Sequence, residues 1–63
     1  SATAVPALIS LLSDPEPIVR GHAAWALRQI SDERGETAVD RALQRESDEI
    51  VRSEMRGGES GRH

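Results

Sequence analysis

An internal repeat sets the period of this chain. The triplet Ile-Val-Arg at residues 18–20 recurs at residues 50–52, which is 32 positions further on. A Ser-Asp pair precedes each triplet, at residues 13–14 and again at 47–48. Repeats with a period of about 20–50 residues are typical of solenoids, in which one supersecondary unit stacks on the next. The spacing therefore predicts two stacked copies of one small unit.

The apolar residues of each copy follow a helical period. Helices are predicted from about Val5 to Leu12, then over residues 15–30, 36–45 and 48–55, with a turn at 31–35. The expected core stripe of the second helix consists of Val19, Ala23, Ala26, Leu27 and Ile30. Asp14 is expected to cap that helix. No segment alternates as a strand does, so the predicted class is all-α, as two helical hairpins of which the second is short.

The domain organisation follows from these elements. Residues 1–56 are predicted to form one repeat fragment, with a first repeat over about 2–31 and a partial second repeat over about 35–56. Residues 57–63 contain three glycines and no apolar side chain, which predicts a flexible tail. The chain begins with Ser1 instead of methionine, and we therefore expect it to be an excised fragment, a processed product or a trimmed version of a longer protein.

Composition excludes several classes of site within this chain. It has no cysteine, so it cannot hold an iron–sulfur cluster or a cysteine-ligated zinc ion through thiolates of its own. Its 11 acidic and 8 basic residues give a net charge of −3, which predicts weak nucleic-acid binding by the chain alone. No partner for metal or acid–base chemistry accompanies His22 in the sequence, so no catalytic, cofactor or metal site is predicted. No apolar run is long enough for a membrane span, and we expect a cytoplasmic protein.

The residues around the first triplet resemble a known repeat. Asp14, the Val-Arg pair at 19–20, the two alanines at 23–24 and the Ala-Leu pair at 26–27 resemble the short HEAT-like repeat first named in phycobilin lyases. The second copy keeps an aspartate at 48 and the Val-Arg pair at 51–52. Residues 18–27, which read IVRGHAAWAL, are similar to the C-terminal repeat segment of epoxyqueuosine reductases.

The narrower resemblance implies a parent protein and a role within it. Such reductases have a cobalamin-binding catalytic body and a pair of four-iron clusters, and they finish the queuosine base in the tRNA anticodon. A chain without cysteine would be the non-catalytic helical part of such an oxidoreductase. Its implied partners are the rest of the parent or another helical repeat, with tRNA only in the parent's context. The alternative is a general protein–protein scaffold. A deoxyhypusine-hydroxylase-like iron enzyme is disfavoured because the sequence has no His-Glu dipeptide.

The resemblance also assigns roles to individual residues. It implies a structural ladder in which Arg20 and Arg52 pair with Asp14 and Asp48, within one repeat or between neighbours. Phosphate contact by these arginines is the functional alternative. The remaining candidates are Trp25 and Arg28, which are predicted to form a partner or tRNA surface. Arg28 stands where the family often has glycine, and it is expected on the open polar face of its helix.

The apolar flank of two such repeats predicts self-association. Solenoids normally need about three repeats and polar end caps, so two units leave an apolar flank without cover. Trp25 and Leu11 are expected on that flank. The sequence therefore predicts a dimer through the exposed sides of the repeats.

Overall fold

The computed structural model describes residues 3–57 of the chain. Within that range the chain forms four helices: α1 (Ala4–Leu11), α2 (Pro17–Ile30), α3 (Glu33–Arg45) and α4 (Glu49–Met55). No strand occurs between residues 3 and 57. The predicted all-α class is therefore confirmed. Most of the predicted tail, residues 58–63, lies outside the described residues.

Helix α2 lies at the centre of the packing. It contacts α1, α3 and α4, whereas α1 and α4 do not touch each other. Helix α1 also packs against α3, and α3 packs against α4. The hairpin α1–α2 therefore stacks beside the hairpin α3–α4. Helices α1 and α3 lie in one layer, and helices α2 and α4 lie in the other. This arrangement confirms the prediction of two helical hairpins, the second of which ends in the seven-residue helix α4.

Helix α2 begins two residues later than the sequence predicts. Its first residue is Pro17, and Glu16 before it has an extended backbone with φ −84° and ψ 121°. A proline ring clashes with a helical conformation of the preceding residue, so Pro17 prevents an earlier start. The prediction that Asp14 caps α2 is wrong. Its Oδ2 accepts a hydrogen bond from the Glu16 N–H at 2.9 Å, which orders the connection ahead of the helix instead.

Helix α3 begins three residues earlier than predicted, at Glu33. Asp32 is its N-cap, and the Asp32 Oδ1 accepts a hydrogen bond from the Arg34 N–H at 2.8 Å. The predicted turn over five residues is thus shortened to Ser31 and Asp32. Ser31 has a left-handed backbone with φ 60°, which ends α2 and redirects the chain. Gly35, which the sequence suggested as a turn residue, is a buried residue of α3.

Nine buried apolar side chains from all four helices form one core. Its members are Val5, Leu12, Ala23, Ala24, Leu27, Val39, Ala42, Val51 and Met55. The predicted stripe of α2 is confirmed at Ala23 and Leu27, whereas Ile30 is 38% exposed. Ala24, which that stripe omitted, is fully buried. The difference arises because α2 packs against α4 as well as α1, so its buried arc extends around the helix.

Gly35 of α3 lies close to Leu27 of α2, and a substitution at this glycine tests the packing of the two helices. A Cβ atom at Gly35 would lie 2.8 Å from Cδ2 of the fully buried Leu27. We expect Gly35→Ala to lower the free energy of unfolding by on the order of 1–2 kcal/mol, because overpacking exceeds the gain of ~1 kcal/mol in helix propensity. Urea and thermal unfolding followed by circular dichroism measure this change.

The matched control is Gly21→Ala on α2. A Cβ there would lie 3.4 Å from Cγ of Glu54, an unbranched and only partly buried side chain that can shift. This substitution should leave stability unchanged or raise it by up to about 1 kcal/mol. Equal losses at both glycines would contradict the described crossing of α2 and α3.

Candidate functional site

A two-point ion pair joins the two hairpins. The Nε of Arg20 on α2 donates to Oε1 of Glu46 at 2.7 Å, and its Nη2 donates to Oε2 at 2.9 Å. The Glu46 side chain is only 4% exposed. The Nη1 of Arg20 also donates to the carbonyl oxygens of Asp14 at 2.9 Å and Pro15 at 3.1 Å. One guanidinium therefore holds together the α1–α2 connection, α2 and the α3–α4 connection.

Arg52 occupies the equivalent place in the second hairpin. Its Nη1 donates to the carbonyl oxygens of Leu43 at 2.8 Å and Glu46 at 2.9 Å. Like Arg20, it thus binds the carbonyl of the residue six positions before it. Its Nε lies 3.8 Å from Oε2 of the exposed Glu49, which is a long and solvated contact. Each arginine therefore closes the connection inside its own hairpin, and Arg20 alone also bridges to the next hairpin.

The hydrogen bonds correct the register of the repeat. Asp14 is structurally equivalent to Glu46, because the carboxylate of each accepts a hydrogen bond from the N–H two residues later, at 2.9 Å and 3.0 Å. Asp48 is instead the N-cap of α4 and accepts from the N–H groups of Ile50 and Val51. The expected pairing of Arg20 with the Asp14 or Asp48 carboxylate does not form. The longer side chain of Glu46 reaches Arg20 while still accepting the Asp48 N–H.

The Arg20–Glu46 pair shifts the pKa of each group in the direction that favours its charged form. The hydrogen bond from Arg20 lowers the pKa of Glu46 below its ordinary value of 4.5, although burial opposes this, and the Asp48 N–H lowers it further. The hydrogen bond to Glu46 in turn raises the pKa of Arg20. Glu46 therefore stays ionised to a lower pH than an isolated glutamate does, and Arg20 stays protonated beside it.

Arg28 is engaged inside the fold and does not lie on an open face. Its Nε donates to the carbonyl oxygen of Met55 at 2.9 Å, and its Nη2 donates to the same oxygen. Its Nη1 pairs with Glu36, and its Nη2 lies 3.4 Å from Oδ1 of Asp40. The expectation that Arg28 is free to meet a ligand or solvent is wrong. The reason is that α4 ends beside α2, so its C-terminal carbonyl finds a donor in Arg28.

Trp25 lies on the outer flank of the first hairpin. Its side chain is 52% exposed and lines an open apolar groove of about 710 Å³. Leu8 and Leu11 contribute from α1, and Val19 and Ala26 contribute from α2. Trp25 and Leu11 are therefore exposed as expected. Glu54 of α4 also lines the groove, and no described helix covers the indole of Trp25, which leaves it available to a partner.

The described residues contain no metal-binding cluster. Between residues 3 and 57 no group of three or more His, Cys, Asp and Glu side chains lies close enough to share an ion. His22 is exposed beside the Trp25 groove. None of the four helices is long and apolar enough to cross a membrane.

The sequence reasoning did not single out one basic feature of α3. Arg34, Arg41 and Arg45 line the groove between α1 and α3, together with the acidic Glu33. Their spacing by seven and four residues places them on one helix face, and this pattern is visible in the sequence. The net negative charge of the chain conceals this pattern, whereas the arginines of the repeated triplet stand out in the sequence.

The lowered pKa of Glu46 predicts how the fold responds to acid. A carboxylate whose pKa is lower in the folded chain stabilises it above the unfolded pKa, and that stability is lost as pH falls through the folded pKa. We expect Glu46→Gln to lower the free energy of unfolding at neutral pH by on the order of 1–3 kcal/mol. The variant should also lose stability less steeply as the pH falls from neutral to below the ordinary pKa of glutamate. Thermal melts across this range measure both effects.

Glu16→Gln is the control for this titration. Glu16 is exposed and makes no ion pair among residues 3–57. Its substitution should change the free energy of unfolding at neutral pH by less than about 0.5 kcal/mol. The interpretation of Glu46 fails if its variant retains the acid dependence of the natural sequence.

The exposed flank predicts weak self-association of the chain. Trp25 is the only aromatic residue, so its fluorescence reports directly on this surface. We expect a dimer at high concentration, together with a blue shift of the emission as the indole leaves water. Trp25→Ser, which also removes the fluorophore, should abolish the dimer seen by sedimentation, whereas Ile50→Ser, which removes an exposed apolar side chain from α4, should leave both the dimer and the emission shift in place. Sedimentation that shows a strict monomer at the highest attainable concentration would contradict the prediction.

The sequence of this chain is similar to sequences of known proteins. The family described as HEAT repeats matches residues 1–56. The chain is 54% identical over 54 residues to the epoxyqueuosine reductase of Listeria monocytogenes, which covers 84% of this chain and 14% of that protein. It is 47% identical over 58 residues to the epoxyqueuosine reductase of Bacillus anthracis, which covers 90% of this chain and 15% of that protein.

The chain thus corresponds to a small part of these relatives. The epoxyqueuosine reductase of Bacillus subtilis shows the same proportions, with 40% identity over 58 residues and 15% of its length covered. No solved structure matches the chain. The stacked hairpins and the match over residues 1–56 show that the chain belongs to the HEAT-repeat family, in a form similar to one segment of epoxyqueuosine reductases.

Proposed function

We propose that this chain is a non-catalytic helical-repeat module that packs against the rest of an epoxyqueuosine-reductase-like protein. The observation that carries the proposal is the half-exposed Trp25 flank in a chain that spans only 14–15% of such relatives. A tryptophan contributes a large apolar area when a partner covers it. The remaining length of the parent offers that partner.

The ion-pair geometry supports the proposal that another hairpin stacks on the same flank. Arg20 of the first hairpin binds Glu46 of the second, and Asp14 is the equivalent of Glu46 in the first hairpin. Asp14 makes no ion pair among residues 3–57. A preceding hairpin of the same geometry would place its own arginine against Asp14. The ladder predicted from sequence is therefore proposed with Glu46 in the place of Asp48.

The proposal assigns the chemistry to the rest of the parent. Four-iron clusters are held by cysteine thiolates, and this chain has no cysteine, so its residues do not fit such a cluster. The oxidoreductase activity, the cobalamin and the clusters that the resemblance implies would all belong to other parts of the protein. The proposed substrate of the parent is tRNA, and a cytoplasmic location follows from that substrate.

A general protein–protein scaffold is the second candidate. The family description over residues 1–56 names only HEAT repeats, and an exposed apolar flank suits any stacked partner. The two candidates differ in one testable respect. A packing module must be able to replace the matching segment of a reductase, whereas a scaffold from an unrelated protein has no reason to fit there.

A chimera tests the proposal directly. The matched 54-residue segment of the Listeria monocytogenes reductase is exchanged for this chain. We expect a folded protein that still reduces epoxyqueuosine in tRNA. In the chimera, Trp25→Ser should lower the free energy of unfolding by roughly 2 kcal/mol, because a covered tryptophan is an interface anchor. In the isolated chain the same substitution should change stability by less than about 0.5 kcal/mol.

The matched control is Ile50→Ser, which alters a side chain that is 77% exposed on α4. It should have a small effect in both settings. A chimera that tolerates Trp25→Ser as well as the isolated chain does would show that the reductase body does not cover this flank. An exchange that leaves the protein unfolded would favour the scaffold.

A further inference from the structure

Helix α4 packs against one face of α2, and this contact shows how two hairpins of the chain fit together. A Cβ atom at Gly21 would lie 3.4 Å from Cγ of Glu54. Ala24, three residues further along α2, is 0% exposed. Arg20, one residue before the glycine, binds Glu46. Because residues three and four positions apart share a helix face, α2 presents an arginine and two small residues to the second hairpin.

The repeat places a matching surface on the outer flank of the first hairpin. The arginines of the two Ile-Val-Arg triplets each donate to the carbonyl oxygen six positions earlier, so the offset of 32 positions between the triplets holds in the structure. By this offset His22 corresponds to Glu54, and Val19 corresponds to Val51. Val51 is 2% exposed in the core, whereas Val19 lines the open groove beside Trp25. The flank therefore offers a partner the surface that the second hairpin offers to α2.

The charge at this flank also lacks its counterpart. Asp14 is the equivalent of Glu46 and makes no ion pair among residues 3–57. Glu46 binds the arginine of the hairpin that precedes it. Apart from His22 and Glu54, the lining of the groove is apolar. An occupant that fits the flank therefore brings one arginine for Asp14 and an otherwise apolar helix face.

Helix α4 of a second copy does not meet these requirements. By the same offset, Ser53 and Arg56 stand where α2 has Gly21 and Ala24. The N–H of Arg56 donates to the carbonyl oxygen of Arg52 at 3.0 Å, so its side chain continues the face of the helix. Stacking of α4 on the flank would place the Arg56 guanidinium against apolar side chains, and burial of an unpaired charge is costly.

We infer that the Trp25 flank is a docking site for the second helix of another hairpin, whose helix face carries a defined pattern. That pattern is an arginine, a small residue directly after it and a second small residue four positions after it. The arginine binds Asp14, the first small residue leaves room for His22, and the second allows the two helices to approach closely. The inference rests on the proposed packing of a hairpin on this flank and specifies which hairpin fits.

A fusion tests the inference, because the first hairpin itself carries the pattern at Arg20, Gly21 and Ala24. A second copy of residues 1–32 is joined ahead of residues 2–63, with Trp25→Phe in the added copy so that one tryptophan reports on the flank. At a concentration where the natural chain is monomeric, we expect the emission of the fusion to shift to the blue. We also expect its quenching by acrylamide to fall, since the added hairpin covers the indole.

The matched control is Ala24→Arg in the added hairpin, which copies the place of Arg56 in α4 and should return emission and quenching to those of the natural chain. Asp14→Asn in the original copy should lower the unfolding midpoint of the fusion and leave that of the natural chain unchanged. The inference fails if both fusions shield Trp25 equally, if neither does, or if Asp14→Asn has the same effect with and without the added hairpin. The fusion contains no reductase body, so its outcome and that of the chimera are independent.

Discussion

The two-point pair between Arg20 and Glu46 connects parts of the chain that helix packing alone would leave loosely related. It ties the centre of the stack, α2, to the connection that leads into α4. Glu46 is almost completely buried and has no second cation among the described residues, so removing Arg20 would leave a carboxylate without a charge partner. The same guanidinium binds the carbonyl groups before α2, which couples the stacking of the hairpins to the geometry of each connection.

Arg28 makes a second connection of a similar kind at the other end of α2. It satisfies the last carbonyl of α4 and pairs with Glu36 of α3, and these two helices pack against each other less extensively than α2 packs against α4. Together the two arginines allow a short chain with a thin core to hold four helices in one arrangement. Because of these internal contacts, Arg20 and Arg28 are not available to a ligand in this fold, although both are prominent in the sequence.

Two surfaces remain once the internal contacts are accounted for. One is the apolar flank around Trp25, which suits another layer of helices, and the other is the groove between α1 and α3, whose charged lining consists of Glu33, Arg34, Arg41 and Arg45. They lie on different grooves that share α1 as a wall. A module of this shape can therefore pack into a larger protein through one face and leave the other accessible, which agrees with its similarity to a small segment of much longer reductases.

The sequence by itself determined the class, the number of helices and the period, because apolar spacing and the recurring Ile-Val-Arg triplet are local properties of the chain. It also indicated the exposure of Trp25. The partners of the arginines were decided by the tertiary structure: Glu46 lies 26 positions from Arg20, and Met55 lies 27 from Arg28. The repeat appeared to align Asp14 with Asp48, yet backbone hydrogen bonds align Asp14 with Glu46. Gly35 was predicted as a turn residue, yet it lies in α3 at the point where this helix passes close to Leu27 of α2. Such pairings depend on which helices meet and at what distance, and no local pattern encodes that geometry.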